Sequence, residues 1–256
     1  MTRFTLPRRN LFVLHLLAIW LLAGCATVSF TPAERHQNKY EINQEIAPDQ
    51  KIAEFILPYK QQMEAEMNRV IGHSEVMLTK PGNQAETLLG NFFTEALLHE
   101  GRKLDPDIDF AFGTKGGLRI ELPKGDITMG HIFELMPFEN QLVILELTSE
   151  KVEQLAQYIA SSNGQPVGGM QMQIHDGKAR NISIGGQPLE KNKTYKLLTY
   201  DYLANGGDNS KGLDNPVSRV DFQQKVRETL IDYITGLTQA GQSINTTLDG
   251  RVIISK

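Results

Sequence analysis

Residues 112–141 carry side chains suited to binding a small molecule. A loop of sequence GTKGG at residues 113–117 leads to Arg119. Glycine lets the backbone reach positive φ and lets another group come close to it. Lys115 and Arg119 beside such a turn can hold an anion, but glycine with lysine is also the ordinary composition of a surface loop. The loop alone leaves an anion site and a plain loop open.

Residues 137–140 present an aromatic ring and an amide after a short helical pattern. The ring of Phe138 can stack on a flat heterocycle, and the amide of Asn140 can read donors and acceptors along its edge. In the other interpretation Phe138 is a core residue after a helix-ending proline. Residue types alone favour that core position.

The N-terminus predicts an export signal. Arg3, Arg8 and Arg9 precede an apolar run, residues 11–22, that is too short to span a membrane. The run ends in Leu-Ala-Gly-Cys, which resembles the lipobox of bacterial lipoproteins, with Cys25 as the acylated residue. This is the only cysteine in the chain, which excludes a disulfide within it.

These features divide the chain into a signal peptide (1–24), a tether (25–48) and a folded domain (49–256). We expect a bacterial envelope protein, held to a membrane by lipid alone, that faces the periplasm or the cell surface. Beyond residue 24 the chain has 23 Lys and Arg against 30 Asp and Glu, a net charge of −7. This balance gives no support for binding nucleic acid.

Helical and strand patterns are interleaved along the folded part. Apolar residues at helical spacing predict helices over about 52–70, 86–102 and 221–237, with a short helix through Leu135 and another after Thr148. Alternating or continuous apolar runs predict strands, the clearest at 141–147 and 195–203, and a hairpin with its turn at 175–178. The sequence therefore predicts an α/β (α+β) domain with mixed sheets and flanking helices.

Three separated motifs resemble the C-terminal domain of the 5′-nucleotidases. Residues 114–119 (TKGGLR) are similar to the family's Asn-Gly-Gly-Gly-Ile-Arg loop, and residues 137–140 (PFEN) to its Pro-Phe-Gly-Asn. Residues 202–208, Tyr-x-x-x-Gly-Gly-Asp, resemble its aromatic-x-x-x-Gly-Gly-Asp. The motifs follow the family's order and spacing over about residues 50–256. The resemblance implies a layered α/β domain that binds a nucleotide or nucleoside.

The resemblance also implies a role for each matching residue. Phe138 and Tyr202 would sandwich the base, and Asp208 would accept hydrogen bonds from the ribose hydroxyls. Arg119 would hold the phosphate, and Asn140 would read the edge of the base. The predicted site is completed by two glycines and two possible phosphate contacts: Gly117, Gly207, Lys115 and Thr114.

Two substitutions depart from the family pattern. Lys115 stands where the family has glycine, and Glu139 where it has a small residue. If these side chains crowded the site, the domain would be a structural or interaction lipoprotein that has kept the fold and lost the ligand.

Family members that hydrolyse nucleotides carry a metallophosphatase domain with Asp-x-His and Gly-Asn-His-Glu/Asp motifs. None of the six histidines here lies in such a pattern, and only the signal peptide and tether precede residue 49. We therefore expect no catalytic residue, metal or other cofactor in this chain, and hydrolysis by the chain alone is the least favoured possibility. The divalent metals would belong to a separate metallophosphatase subunit.

Two functions are favoured over the structural role and over hydrolysis by the chain alone. The chain is the nucleotide-binding half of a split 5′-nucleotidase, or it is an envelope lipoprotein that binds nucleotides without any hydrolytic partner.

Overall fold

The computed structural model describes residues 39–43 and 46–255. The predicted signal peptide, the predicted lipidation site at Cys25 and most of the predicted tether lie outside these residues. The described residues before Gln50 form no helix or strand. In this described portion, every helix is too short or too polar to cross a membrane.

From Gln50 onward, helices and strands alternate along most of the chain. In chain order the elements are α1 (Gln50–Met67), β1 (Val70–Ser74), α2 (Leu88–Leu104), β2 (Phe110–Phe112), β3 (Gly125–Thr128), α3 (Met129–Leu135), β4 (Gln141–Thr148), α4 (Ser149–Ser161), β5 (Val167–Gly168), β6 (Met170–His175), β7 (Lys178–Ile184), β8 (Gln187–Pro188), β9 (Thr194–Tyr200), α5 (Asp201–Ala204), a 3-10 turn (Gly207–Asn209), β10 (Ser218–Lys225), α6 (Val226–Gln239) and β11 (Val252–Ser255).

A five-stranded mixed sheet lies at the centre of the domain. Its strand order is β10-β4-β9-β2-β5, and only β2 and β9 pair in parallel. The middle strands are apolar on both faces because helices cover them, and residues Leu142–Leu145 of β4 are buried. A four-stranded sheet (β11-β6-β7-β8) and the antiparallel pair β1-β3 complete the strands. The predicted class, α/β with mixed sheets, is confirmed.

Threonine side chains fix the starts of three helices. Thr87, Thr128 and Thr148 accept hydrogen bonds from backbone N–H groups in the first turns of α2, α3 and α4. At α3 the Nδ1 of His131 also accepts from the backbone N–H of Thr128 at 3.1 Å. This capping box gives His131 a structural role.

Three predicted boundaries were wrong. The helix expected from about residue 221 begins at Val226, and the residues before it form β10, which pairs along β4 from Ser218↔Glu146 to Lys225↔Gln141. The first helix ends at Met67, and β1 follows where the helical pattern had been extended. The strand predicted over residues 195–203 ends at Tyr200, and the short helix α5 begins at Asp201. In the first two cases a strand is stabilised by a partner distant in sequence, β10 by β4 and β1 by β3, which local periodicity does not report.

Helix α1 forms as predicted, but its apolar stripe is not buried. Phe55, Tyr59 and Met63 are 71%, 67% and 59% exposed, and the rings of Phe55 and Tyr59 lie 6.0 Å apart. Pro58 lies inside the helix, where it removes one backbone hydrogen bond.

Candidate functional site

The topology of the central sheet brings the three sequence motifs to one edge. Strands β2 and β9 are parallel, so their C-terminal ends point the same way, and β4 is antiparallel to β9, so its N-terminal end lies there too. The glycine loop follows β2, Tyr202 follows β9, and residues 137–140 precede β4. The pairing of Leu142 with Tyr200 fixes the register of the last two segments.

These segments surround an open cleft of about 280 Å³. It is lined by Gly116, Gly117, Arg119, Phe138, Asn140, Tyr200, Tyr202 and Asp208. A larger open groove of about 770 Å³ lies between α4 and β7, but no aromatic side chain lines it. The smaller cleft has the aromatic walls and the few polar groups that are typical of a small-molecule site.

Phe138 is a wall of the cleft and not a core residue. Its side chain is 38% exposed, whereas Phe110 and Phe112 in the central sheet are fully buried. The interpretation favoured by residue types alone was therefore wrong. Tyr202, the second predicted ring, is 48% exposed and lines the same cleft.

The carboxylate of Asp208 accepts two hydrogen bonds from hydroxyl groups. Thr114 Oγ1 donates to Oδ2 at 2.5 Å, and the Tyr202 hydroxyl donates to Oδ1 at 3.0 Å. The backbone N–H of Asp208 donates to the same tyrosine oxygen at 3.2 Å. Asp208 has φ of 53°, a left-handed conformation that aspartate tolerates better than most residues. The carboxylate is thus arranged to accept from hydroxyls, which is also what a sugar diol offers.

Two glycines of the motifs are required by close contacts. A Cβ on Gly207 would lie 2.4 Å from the ring of Tyr202, so this ring rests directly on the backbone. A Cβ on Gly117 would lie 2.9 Å from the hydroxyl oxygen of Tyr200. Tyr200 is buried, which raises its pKa to about 12 and keeps the hydroxyl protonated.

Lys115 does not line the cleft. Its Nζ donates to the backbone carbonyls of Gln84 at 2.6 Å and Asn163 at 3.1 Å, and its backbone N–H donates to Gln165 Oε1 at 2.8 Å. Burial lowers the pKa of this ammonium group. Thr114, the other possible phosphate contact, is 2% exposed and is bonded to Asp208. Both residues hold the glycine loop in place from outside the cleft.

Glu139 also points away from the cleft. Its carboxylate pairs with Lys225 at 2.5 Å and with Arg227. Hydrogen bonds from Lys225 and Arg227 lower the pKa of Glu139 to about 2. Neither departure from the family pattern therefore crowds the cleft.

Arg119 is the cation that lines the cleft. Its backbone N–H donates to Leu135 at 2.9 Å, its Nη1 donates to Gly116 O at 3.2 Å, and its guanidinium carbon lies 6.0 Å from the centre of the Phe138 ring. The guanidinium is exposed and has four further N–H donors. Asn140, half-buried, presents an amide on the same wall.

Three residues at the site were not predicted. Tyr200 forms part of the cleft lining, Asp201 bonds backbone groups of both ring-bearing segments, and Arg227 bonds the turn that carries Phe138. Tyr200 could have been suspected because it lies in the strand predicted over 195–203, two residues before Tyr202. Arg227 contacts residues about 90 positions earlier, and no local pattern reports this.

Across residues 39–43 and 46–255, no three His, Cys, Asp or Glu side chains come together in a group that could hold a metal ion.

Comparison with known proteins gives a consistent result. Residues 70–215 match the model of the family described as 5′-nucleotidase, C-terminal domain. Protein UshA of Yersinia enterocolitica is 30% identical over 196 residues, which are 75% of this chain and 35% of UshA. Cell wall protein Lmo0130 of Listeria monocytogenes is 28% identical over 235 residues, 81% of this chain and 30% of that protein.

A solved structure agrees with these relatives. The 5′-nucleotidase precursor from Thermus thermophilus aligns with a TM-score of 0.69 and 26% identity, covering 81% of this chain and 44% of that one. The chain thus spans about a third of the length of the curated relatives and less than half of the solved structure.

Proposed function

Because this chain belongs to the 5′-nucleotidase C-terminal domain family, whose members bind nucleotides, we propose that its cleft binds a nucleotide or nucleoside as one half of a split 5′-nucleotidase. The other half is a separate metallophosphatase subunit that supplies the divalent metals and the hydrolytic chemistry. One observation carries the proposal: Phe138, Tyr202 and Asp208 line a single open cleft.

Phe138 and Tyr202 supply the binding surface for the base. Both rings are partly exposed at the cleft, and stacking of a base on an aromatic ring contributes about 1–3 kcal/mol per contact. Asn140, on the same wall as Phe138, reads the edge of the base, since an amide offers both donors and an acceptor.

Asp208 binds the sugar by accepting hydrogen bonds from the ribose hydroxyls, which join or replace its present hydroxyl partners. In the structure its two oxygens accept from Thr114 and Tyr202. A carboxylate oxygen can accept more than one hydrogen bond, so ribose hydroxyls can join or replace the tyrosine hydroxyl without leaving the charge unpaired. Arg119 binds the phosphate, because the ammonium of Lys115 is already bonded to two backbone carbonyls.

The relatives extend well beyond the part that matches this chain. The matched region is a C-terminal domain, and UshA is almost three times as long as its matched part. We propose that the function of the remaining part is supplied here by another polypeptide, and that Cys25 anchors this chain by lipid at the envelope. One relative, Lmo0130, is named a cell wall protein, which fits an envelope location.

A stand-alone binding role is the second candidate, favoured because Phe138, Tyr202, Asp208 and Arg119 already give one cleft its rings, carboxylate and cation. Two measurements separate the candidates. Equilibrium dialysis with labelled AMP and adenosine tests binding, and absence of binding for both would remove both candidates. Affinity capture from native membranes then tests the partner. Recovery of a metallophosphatase that hydrolyses AMP faster with this chain present supports the split enzyme, and recovery of none leaves only the binder.

A further inference from the structure

The carboxylate of Asp201 joins the two segments that carry the aromatic rings. Its Oδ1 accepts from the backbone N–H of Gln141 at 3.2 Å and from the backbone N–H of Tyr202 at 2.7 Å. Gln141 follows Asn140 and begins β4, whereas Tyr202 lies in α5, directly after β9. One oxygen atom therefore bonds both segments that form the cleft. We call residues 137–141 the Phe138 wall and the start of α5 the Tyr202 wall.

The sheet brings these two N–H groups near each other but does not satisfy them. Leu142 pairs with Tyr200 at the end of the ladder between β4 and β9, so Gln141 and Asp201 lie just beyond it. The residue before α5, Tyr200, makes no side-chain capping bond, and Asp201 supplies the acceptor for the first turn instead. Because the acceptor is an ionisable, half-buried carboxylate, both hydrogen bonds from the backbone N–H groups are charge-assisted when Asp201 is ionised.

Other contacts hold each wall separately. Val226 N–H donates to the carbonyl of Asn140 at 2.9 Å, and Tyr202 is held by its hydroxyl bond to Asp208 and by its contact with Gly207. Neither of these contacts joins the Phe138 wall to the Tyr202 wall. Asp201 does so through side-chain hydrogen bonds, in addition to the backbone ladder.

We infer that Asp201 is a positioning residue that sets the separation between the Phe138 and Tyr202 walls, and with it the affinity for a stacked base. The inference rests on the proposed function of the cleft. Stacking requires the two rings at a fixed spacing around the base, since dispersion attraction falls steeply once a gap opens. Asp201 itself does not line the cleft.

The test compares variants of Asp201 by calorimetric titration with adenosine. Asp201→Ala removes the acceptor, and Asp201→Glu keeps the charge but moves it by one methylene. Both should weaken adenosine binding about tenfold, whereas Asp201→Asn, which retains an acceptor oxygen, should stay within about threefold of wild type. Asp214→Ala, at an exposed aspartate outside the cleft, is the matched control and should bind as wild type.

A double-mutant cycle separates positioning from a general structural role. If Asp201 acts through the ring of Tyr202, Asp201→Ala should change affinity less than twofold in a Tyr202→Ala background. An undiminished loss in that background would overturn the inference, as would wild-type affinity in both Asp201→Ala and Asp201→Glu. Should Asp201→Ala fail to fold, the same cycle is run with Asp201→Glu.

The outcomes also distinguish this inference from the proposed function. If wild type binds neither adenosine nor AMP, both fail. If wild type binds, Phe138→Ala weakens binding and the Asp201 variants do not, only the role of Asp201 fails.

Discussion

The guanidinium of Arg227 donates to the carbonyl of Phe138 at 3.3 Å, although the two residues are 89 positions apart in the chain. The same Nη1 donates to Met136 O at 3.3 Å, Nη2 pairs with Glu139, and the guanidinium carbon lies 4.3 Å from the centre of the Phe133 ring. The first turn of α6 thus holds the segment that presents Phe138 to the cleft. The exposed ring owes its position to a residue that is itself only 7% exposed.

Removing Arg227 should destabilise the domain and weaken ligand binding together. Arg227→Ala leaves the carbonyls of Met136 and Phe138 without this donor, and we expect a loss of about 2 kcal/mol in the free energy of unfolding. Arg227→Lys keeps the charge but not the planar fork, so it should lie between wild type and Arg227→Ala. Urea denaturation measures the effect.

Arg69→Ala is the matched control for this loss. Arg69 makes an exposed ion pair with Glu66, and its removal should lower the free energy of unfolding far less than the removal of Arg227, because solvent screens an exposed pair. Equal losses in Arg69→Ala and Arg227→Ala would contradict the role given to Arg227.

Glu139 should make the stability of the domain depend on pH in the acid range. Its pKa is lowered from 4.5 to about 2 by hydrogen bonds from Lys225 and Arg227. A lowered pKa in the folded state means that the ionised carboxylate stabilises the fold above about pH 4.5, and that this contribution is lost as the pH falls from 4.5 towards 2. The difference in midpoint of urea unfolding between wild type and Glu139→Gln should shrink over that interval. A constant difference from pH 6 to pH 2 would show that the ion pair makes no contribution.

Asp208 should confer preference for a sugar that carries hydroxyl groups. Asp208→Asn removes the negative charge but keeps one acceptor oxygen, so adenosine affinity should fall about tenfold. Affinity for 2′,3′-dideoxyadenosine should hardly change, because that ligand has no diol to donate. Competition titrations with both ligands measure the ratio. The same loss for both ligands would mean that Asp208 supports the loop and does not contact the sugar.

Arg119, and not Lys115, should distinguish AMP from adenosine. Arg119→Met should lower the ratio of AMP affinity to adenosine affinity about tenfold, since a charged hydrogen bond to phosphate is lost. Lys115→Met should leave the ratio within about twofold, although it removes two bonds to backbone carbonyls and should lower the melting temperature. The assignment would be reversed if Lys115→Met abolished the preference and Arg119→Met did not.

Most residues that line the cleft could be predicted from the sequence. The residues that hold these lining residues in place, such as Arg227 and Asp201, could not. Phe138, Tyr202 and Asp208 could be found because each belongs to a short motif, and the motifs occur in the order and spacing of a known family. The structure adds the physical reason for part of that pattern. Gly207 is required because a side chain there would meet the ring of Tyr202.

Residues that act across the fold could not be predicted in the same way. Arg227 and β10 depend on pairing with segments about 70 to 90 positions earlier, and a local pattern holds no information on such contacts. The orientation of Lys115 and Glu139 is a similar case. From the sequence, either side chain could block the site. In the structure each is bonded instead to a group outside the cleft, on a segment distant in sequence.

Calorimetric titration of adenosine into wild type, Phe138→Ala and Phe55→Ala tests whether the cleft binds a base by stacking on Phe138. Phe55 is an exposed phenylalanine in α1, outside the cleft lining, and serves as the matched control. We expect saturable binding to wild type and Phe55→Ala, and an affinity about tenfold or more weaker in Phe138→Ala, in line with the loss of about 1–3 kcal/mol of stacking. Adenosine binding of equal strength in Phe138→Ala and wild type would contradict this expectation.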